Sequence, residues 1–240
     1  MNYGDNRNLE PRTFEEQYDA VKGMNAFIAK VFGWMFIGLL LTAGIGFYVS
    51  GNINLVKTIA TNPILLFGLL IAEVAMVAVL SARITKLSYG AATGMFLAYA
   101  ALNGLTLSII FLAYTNESIA TAFGTTAVTF GVMCVYGYFT KADLTKFRTL
   151  LFMGLIGVVI LSVVNIFIGS SSLGWFISII GLFVFLGLTA FDMQRLKGFY
   201  FGTEDNAALR NNLGIVGALR LYLDFINLFL IMLRFVNGRR

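Results

Sequence analysis

Four ionisable residues stand within or at the ends of long apolar runs, where a charge is costly enough to suggest function: Glu73, Arg83, Asp192 and Asp224. The chain contains no histidine, so the usual general base, metal ligand and pH switch are all missing. Proton chemistry must therefore fall to carboxylates. Cys134 is the single cysteine, which excludes an intrachain disulfide and a thiolate metal cluster and leaves packing as its expected role. Asp224 lies deep in LYLDFINLFLIML, with Arg220 one turn earlier on the same helical face, so an intrahelical ion pair competes with any functional role. Asp192 closes an apolar run in LGLTAFDMQRLKGFYF. The aromatics Phe199, Tyr200 and Phe201 that follow mark a headgroup level. If the helix continues to them, Asp192 is about 13 Å inside that level, and Asp224 is about 16 Å in from Leu213. Two carboxylates at one depth on consecutive antiparallel helices can approach closely. They cannot both ionise cheaply, so one keeps its proton and the pair titrates as a unit. Glu73 has no basic residue within a turn and needs a partner from another helix, a proton or water. Arg83 is about 15 Å further along the same helix, where it is either an interfacial anchor or a counter-ion that latches one aspartate.

The elements that must carry these residues follow from composition. Of 240 residues, 58% are hydrophobic and 12% charged, against about 25% charged in a soluble domain. The apolar stretches are continuous over several helical turns, which predicts an all-α integral membrane protein rather than a barrel. Seven spans are expected: Phe27 to Tyr48, Pro63 to Leu80, Tyr89 to Tyr114, Ala120 to Phe139, Phe147 to Ile168, Leu173 to Phe191 and Leu213 to Val236. Residues 1–25 form a polar tail, with a surface helix expected near Phe14 to Gly23, and residues 26–240 form the transmembrane domain. The tail is too long and acidic for the n-region of a signal peptide. Gly90 and Gly94 make a GxxxG pair, read as packing glycines that let a neighbouring helix approach. Lys30 and Arg234 lie near span ends and are expected to snorkel to the interface.

Basic residues are scattered singly between the runs, which argues against nucleic acid and for topology signals. Placing the N-terminus in the cytoplasm puts Arg7, Arg12, Lys22, Lys30, Arg83, Lys86, Lys141, Lys146, Arg148, Arg195, Lys197 and Arg210 on the inner side, with Lys57 alone opposite. That orientation holds for six spans. A seventh full crossing would carry Arg239 and Arg240 outside against the bias, so a re-entrant last helix is the competing expectation.

The segment GALRLYLDFINLFLIMLRF resembles the C-terminal signature of the transmembrane Bax inhibitor motif family, its bacterial members especially. FGWMFIGLLLTAGIGFY, YAALNGLTLSIIF and GLTAFDMQRLK agree with it, so the resemblance covers nearly all of the chain beyond residue 25. It implies a seven-helix bundle with the C-terminal helix central, and a pH-dependent calcium leak across the cell membrane. It further implies that Asp192 and Asp224 are the family's paired aspartates, able to hold Ca²⁺. Arg83 would be the arginine that engages them, and Glu73 the acidic residue lining the second span. Hard carboxylate oxygens suit such a divalent ion. Ca²⁺, protons and the bilayer are the expected partners, and no enzymatic role or resident cofactor is expected. A proton-coupled cation antiporter and a non-transporting modulator of a membrane protease or other complex are the alternatives. An intramembrane aspartyl protease fits poorly: Asp224 follows Leu221, Tyr222 and Leu223 rather than a Gly-x-Gly turn, and no Pro-Ala-Leu segment follows it.

Overall fold

The computed structural model describes residues 13–237, and the described residues contain helices and no strands. In chain order the helices are α1 (Phe14–Ser50), α2 (Ile53–Thr61), α3 (Pro63–Arg83), α4 (Tyr89–Ala113), α5 (Asn116–Phe139), α6 (Arg148–Ile168), α7 (Ser171–Phe201) and α8 (Ala207–Asn237). All but α2 are long and apolar enough to cross a membrane, which gives the seven spans read from the apolar runs. Arg7 and Arg12 of the topology pattern, and Arg239 and Arg240 at its end, lie outside the described residues.

Small polar residues between the apolar runs set most helix starts. Asn52, Asn62, Ser88, Thr115 and Ser170 each accept, through a side-chain oxygen, a backbone N–H from the first turn of α2, α3, α4, α5 and α7. Pro63 follows its cap at the first helical position, where its missing N–H is harmless. Gly169 ends α6 with φ of 68°, a left-handed conformation that suits glycine, and Ser170 then caps α7.

Two helices, α1 and α7, outlast their apolar runs by about ten residues or more. Thr13 and Glu16 form a capping box that starts α1 at Phe14, so the expected surface helix is the first part of a single 37-residue helix. α7 runs through its charged stretch to Phe201, which meets the condition for placing Asp192 within the span. α2 has no counterpart in the seven expected spans. This nine-residue helix turns Val56 and Ile59 onto Val49, Leu66, Leu105 and Ile109, and leaves Lys57 exposed.

α8 is enclosed on several sides, by α1, α4, α5 and α7. In its most apolar stretch 78% of residues are buried, against 6% for the α6 span and 11% for α3. It is also unbroken for 31 residues, about 46 Å, so it contains no re-entrant turn. α6 packs on α7, and α3 mainly on α4, leaving most of both surfaces for lipid.

Close helix approaches occur at glycines other than the expected pair. A Cβ at Gly104 of α4 would stand 2.8 Å from the Thr42 carbonyl of α1, and one at Gly137 of α5 would overlap the Ala190 carbonyl of α7. At Gly90 and Gly94 an added Cβ would meet nothing within 4 Å, so within this chain the GxxxG pair is not a helix seam. Cys134 is buried in the main apolar core, as its packing role requires.

Candidate functional site: buried carboxylates around the last helix

The three acidic residues flagged by the apolar runs are all buried, with Glu73 and Asp192 7% exposed and Asp224 4%. They form two clusters on different sides of α8.

The first cluster joins α7 to α8. Gly181 faces Ile231 and Gly217 faces Leu196, which fixes the antiparallel register of the two helices. That register puts Asp192 level with Arg220 and Leu221, and Asp224 about one turn further toward the α6–α7 connection. The aspartates are therefore offset by roughly a turn rather than sharing one depth. The turn between them is taken up by Arg220, whose Nη1 donates to Asp192 Oδ1 at 3.2 Å. Arg220 thus reaches across to α7 instead of pairing along its own helix. Asp192 also feels the positive charge of Arg195, one turn away on α7, and Asp224 feels attraction to Arg220 and repulsion from Asp192. Asp224 Oδ2 is buried without a hydrogen-bond donor among the described residues. An unpartnered buried carboxylate oxygen is costly unless a proton or a cation satisfies it.

Arg83, expected as the counter-ion, lies exposed at the end of α3. The turn after it is tied to α8 by Asn212 Nδ2, which donates to the carbonyls of Ile84 at 3.1 Å and Leu87 at 2.7 Å. Asn212 precedes Arg220 by eight residues, about 12 Å along α8. In this structure, then, Arg220 and not Arg83 is the counter-ion of the pair. Lys30 is exposed, donates to Asn211 Oδ1 at 3.1 Å and lies over the Tyr89 ring, and Arg234 is exposed near the end of α8.

The second cluster lies among α1, α3, α4 and α8. Glu73 Oε1 accepts from Thr106 Oγ1 at 2.8 Å, and Oε2 accepts from Asn103 Nδ2 at 3.4 Å. The Tyr222 hydroxyl donates to Asn103 Oδ1 at 3.0 Å and also lies 2.6 Å from Thr42 Oγ1, which donates to the Ala100 carbonyl at 2.8 Å. Glu73 thus finds its partners on another helix, and they are neutral. Reading for charges alone passed over Asn103, Thr106, Tyr222 and Thr42. The signal was the asparagine in YAALNGL, a strongly polar residue in an otherwise apolar and small-residue stretch.

Among the described residues no three acidic or cysteine side chains gather as a metal cluster. Two carboxylates, one held by Arg220, also supply fewer oxygens than the roughly six to eight that Ca²⁺ takes. The pair alone therefore does not complete a Ca²⁺ coordination shell. A cavity of about 400 Å³ lies at the α6–α7 connection beside Asn165, Ser171, Trp175 and Arg234, and is lined by none of these carboxylates.

The family model for the inhibitor of apoptosis-promoting Bax1 matches residues 24–240. The inner membrane protein YbhL of Escherichia coli K12 is 50% identical over 220 residues, covering 91% of this chain and 94% of YbhL. A protein of Borreliella burgdorferi is 44% identical over 228 residues (95% of this chain, 97% of that one), and one of Deinococcus radiodurans is 40% identical over 224 (93% and 95%).

Proposed function

Since this chain belongs to the Bax inhibitor family of membrane proteins, we propose that it is a pH-sensitive calcium leak channel of the bacterial cytoplasmic membrane, with its N-terminus inside. The observation that carries the proposal is the arrangement of two buried carboxylates, Asp192 and Asp224, about a single guanidinium. Arg220 compensates Asp192. Asp224 Oδ2, with no donor, is then the oxygen that takes the shared proton or meets the passing cation. Losing that proton adds a negative charge beside the ion pair, between α7 and the enclosed α8. Either the helices part or a cation enters, and both couple pH to conduction. α8 acts as the central helix of the bundle, and Glu73 lines the ion route on its other side. The placement in the cytoplasmic membrane draws on the inner-membrane designation of the E. coli relative.

An arginine latch is part of the proposal. Arg220 fills it in this conformation, while the turn after Arg83 is tied to α8 at Asn212, about 12 Å along that helix from Arg220, so Arg83 would engage the aspartates only after a rearrangement at the end of α3. α3 is among the least enclosed of the spans, which leaves it few packing contacts to break on moving.

The test is calcium flux into proteoliposomes between pH 6 and 8. The unaltered chain should pass Ca²⁺ with a rate that changes over this range. Asp224→Asn, which imitates the protonated side chain, should give a rate that no longer responds to pH, and Asp192→Asn should alter the profile by freeing Arg220. An unchanged pH profile in both variants would remove the aspartates from the gate. Obligatory proton counterflow would instead make the protein an antiporter, and absence of flux would favour a modulator of other membrane proteins.

A further inference from the structure

The hydrogen-bond chain from Glu73 to Thr42 is one proton short. Four contacts link Glu73, Asn103, Tyr222, Thr42 and the Ala100 carbonyl. With Glu73 ionised, only three protons serve those four contacts: one from the Asn103 amide and one from each of the Tyr222 and Thr42 hydroxyls. Because Asn103 Nδ2 faces Glu73, the amide presents Oδ1 to Tyr222, which donates to it at 3.0 Å. Tyr222 cannot then also donate to Thr42. Thr42 must choose between Tyr222 and the Ala100 carbonyl, so one contact goes without a proton.

A proton on Glu73 Oε2 supplies the missing one, provided the amide turns over. Asn103 Oδ1 would then accept from Glu73, Asn103 Nδ2 would donate to Tyr222, Tyr222 to Thr42, and Thr42 to Ala100 O. Every contact is filled and every donor direction from Asn103 onward is fixed. An asparagine amide is suited to this because its oxygen and nitrogen exchange places by a half-turn of nearly unchanged shape. Thr106 serves either state, since its hydroxyl can donate to Glu73 Oε1 or to its second acceptor, the Asn103 carbonyl at 2.9 Å.

We propose that Asn103 and Tyr222 are positioning residues that convert the protonation of Glu73 on α3 into a reversal of hydrogen bonding on α8. Tyr222 stands midway in sequence between Arg220 and Asp224, so the reversal occurs within the stretch of α8 that carries the ion pair and the unpartnered aspartate. The groups around Glu73 leave few competing causes. α4 presents Tyr99, Asn103 and Thr106, and α8 presents Tyr222, with no cation beside the carboxylate among the described residues. The charge of α2, Lys57, is exposed, and Arg83 of α3 lies ten residues along the helix. Only the consequence for conduction rests on the leak-channel reading; the reversal stands without it.

Infrared difference spectroscopy of the reconstituted full chain, with ring-labelled tyrosine, tests the relay without any transport. Lowering the pH should raise a protonated-carboxyl band that Glu73→Gln removes. It should also shift one tyrosine C–O mode, removed by Tyr222→Phe, with the same midpoint. Thr42→Val deletes the acceptor that Tyr222 needs in the reversed state. About five times the proton concentration should then be needed for the same Glu73 band, the equivalent of one neutral hydrogen bond. That variant also identifies the tyrosine mode should Tyr222→Phe fail to fold. The relay is overturned if the tyrosine mode stays fixed while Glu73 titrates, if it shifts equally in Glu73→Gln, or if Glu73 does not titrate. Absence of calcium flux would sink the leak and leave these bands as they are.

Discussion

Arg220 illustrates why a buried charge is easier to find than its partner. The burial of Glu73, Asp192 and Asp224 was readable because a carboxylate within apolar helix-forming sequence has few places to go. The partner depends on how α7 and α8 align, which no local spacing contains. One turn of register decides that Arg220 meets Asp192 across the helix pair instead of Asp224 along its own. Removing the guanidinium leaves Asp192 charged and buried, so Arg220→Gln should destabilise the protein by about 2–3 kcal/mol. This is less than a wholly enclosed pair would lose, because the Arg220 side chain is 23% exposed. The double variant with Asp192→Asn should recover most of that loss. Equilibrium unfolding in mixed micelles would measure both, and a double variant no more stable than Arg220→Gln alone would deny the pairing. Asp143, outside the spans, offers a contrast at the same scale. The hydroxyl and backbone N–H of Thr145 both donate to it and hold its carboxyl below the usual range. A depressed carboxyl keeps its contribution above the ordinary aspartate range and loses it only as pH falls below, so its charge is constant from pH 6 to 8. The cap on the α5–α6 connection is therefore no source of a neutral pH response, and Asp143→Asn should leave the pH profile of flux unchanged.

At the level of elements, apolar run length identified the seven spans because roughly 20 apolar residues is a physical requirement of the bilayer. Hydropathy failed where a helix outlasts its apolar stretch. α7 continues ten residues beyond Phe191 through Asp192, Gln194, Arg195 and Lys197. Those polar side chains are used: Gln194 accepts from the Leu144 N–H and donates to the Ala142 carbonyl, and Lys197 donates to the Tyr138 carbonyl. The C-terminal end of α7 thereby holds the end of α5 and the connection that follows it. α2 was missed for the opposite reason, being too short and too amphipathic to register as a span. Glycine spacing misled as well, since a GxxxG pattern shows where a helix could approach and not where one does. A direct comparison follows. Gly137→Ala pushes a methyl into the Ala190 carbonyl two residues from Asp192, and should cost about 1–3 kcal/mol and disturb the Asp192 site. Gly94→Ala meets open space and should be neutral or slightly stabilising, since alanine is the better helix former. Equal stability of the two variants would contradict the α5–α7 contact.

For the molecule as a whole, two sequence rules conflict at the C-terminus, and the continuity of α8 weighs between them. If all seven helices long enough to cross do so, the start of α1 and the end of α8 lie on opposite sides of the membrane. The proposed orientation, with the N-terminus inside, follows the bias of Lys and Arg: the α3–α4, α5–α6 and α7–α8 connections and their flanking turns gather the basic residues, while Lys57 stands alone on the opposite side. On that orientation a full crossing of α8 conflicts with the bias, because Arg239 and Arg240 follow it in the sequence. A re-entrant last helix would avoid the conflict, but 31 unbroken residues at about 1.5 Å each exceed the roughly 30 Å of hydrocarbon. The packing of α8 among α1, α4, α5 and α7 also favours keeping its full length in the bundle, against a charge preference that acts mainly on earlier spans. Single cysteines introduced in a Cys134→Ala background should therefore divide cleanly. Lys86→Cys and Lys146→Cys should react with an impermeant maleimide only after the membrane is opened. Lys57→Cys, and a cysteine appended after Arg240, should react in intact cells. Protection of the appended cysteine alongside labelling at position 57 would return the last helix to the inner side and require α8 to end short of a full crossing.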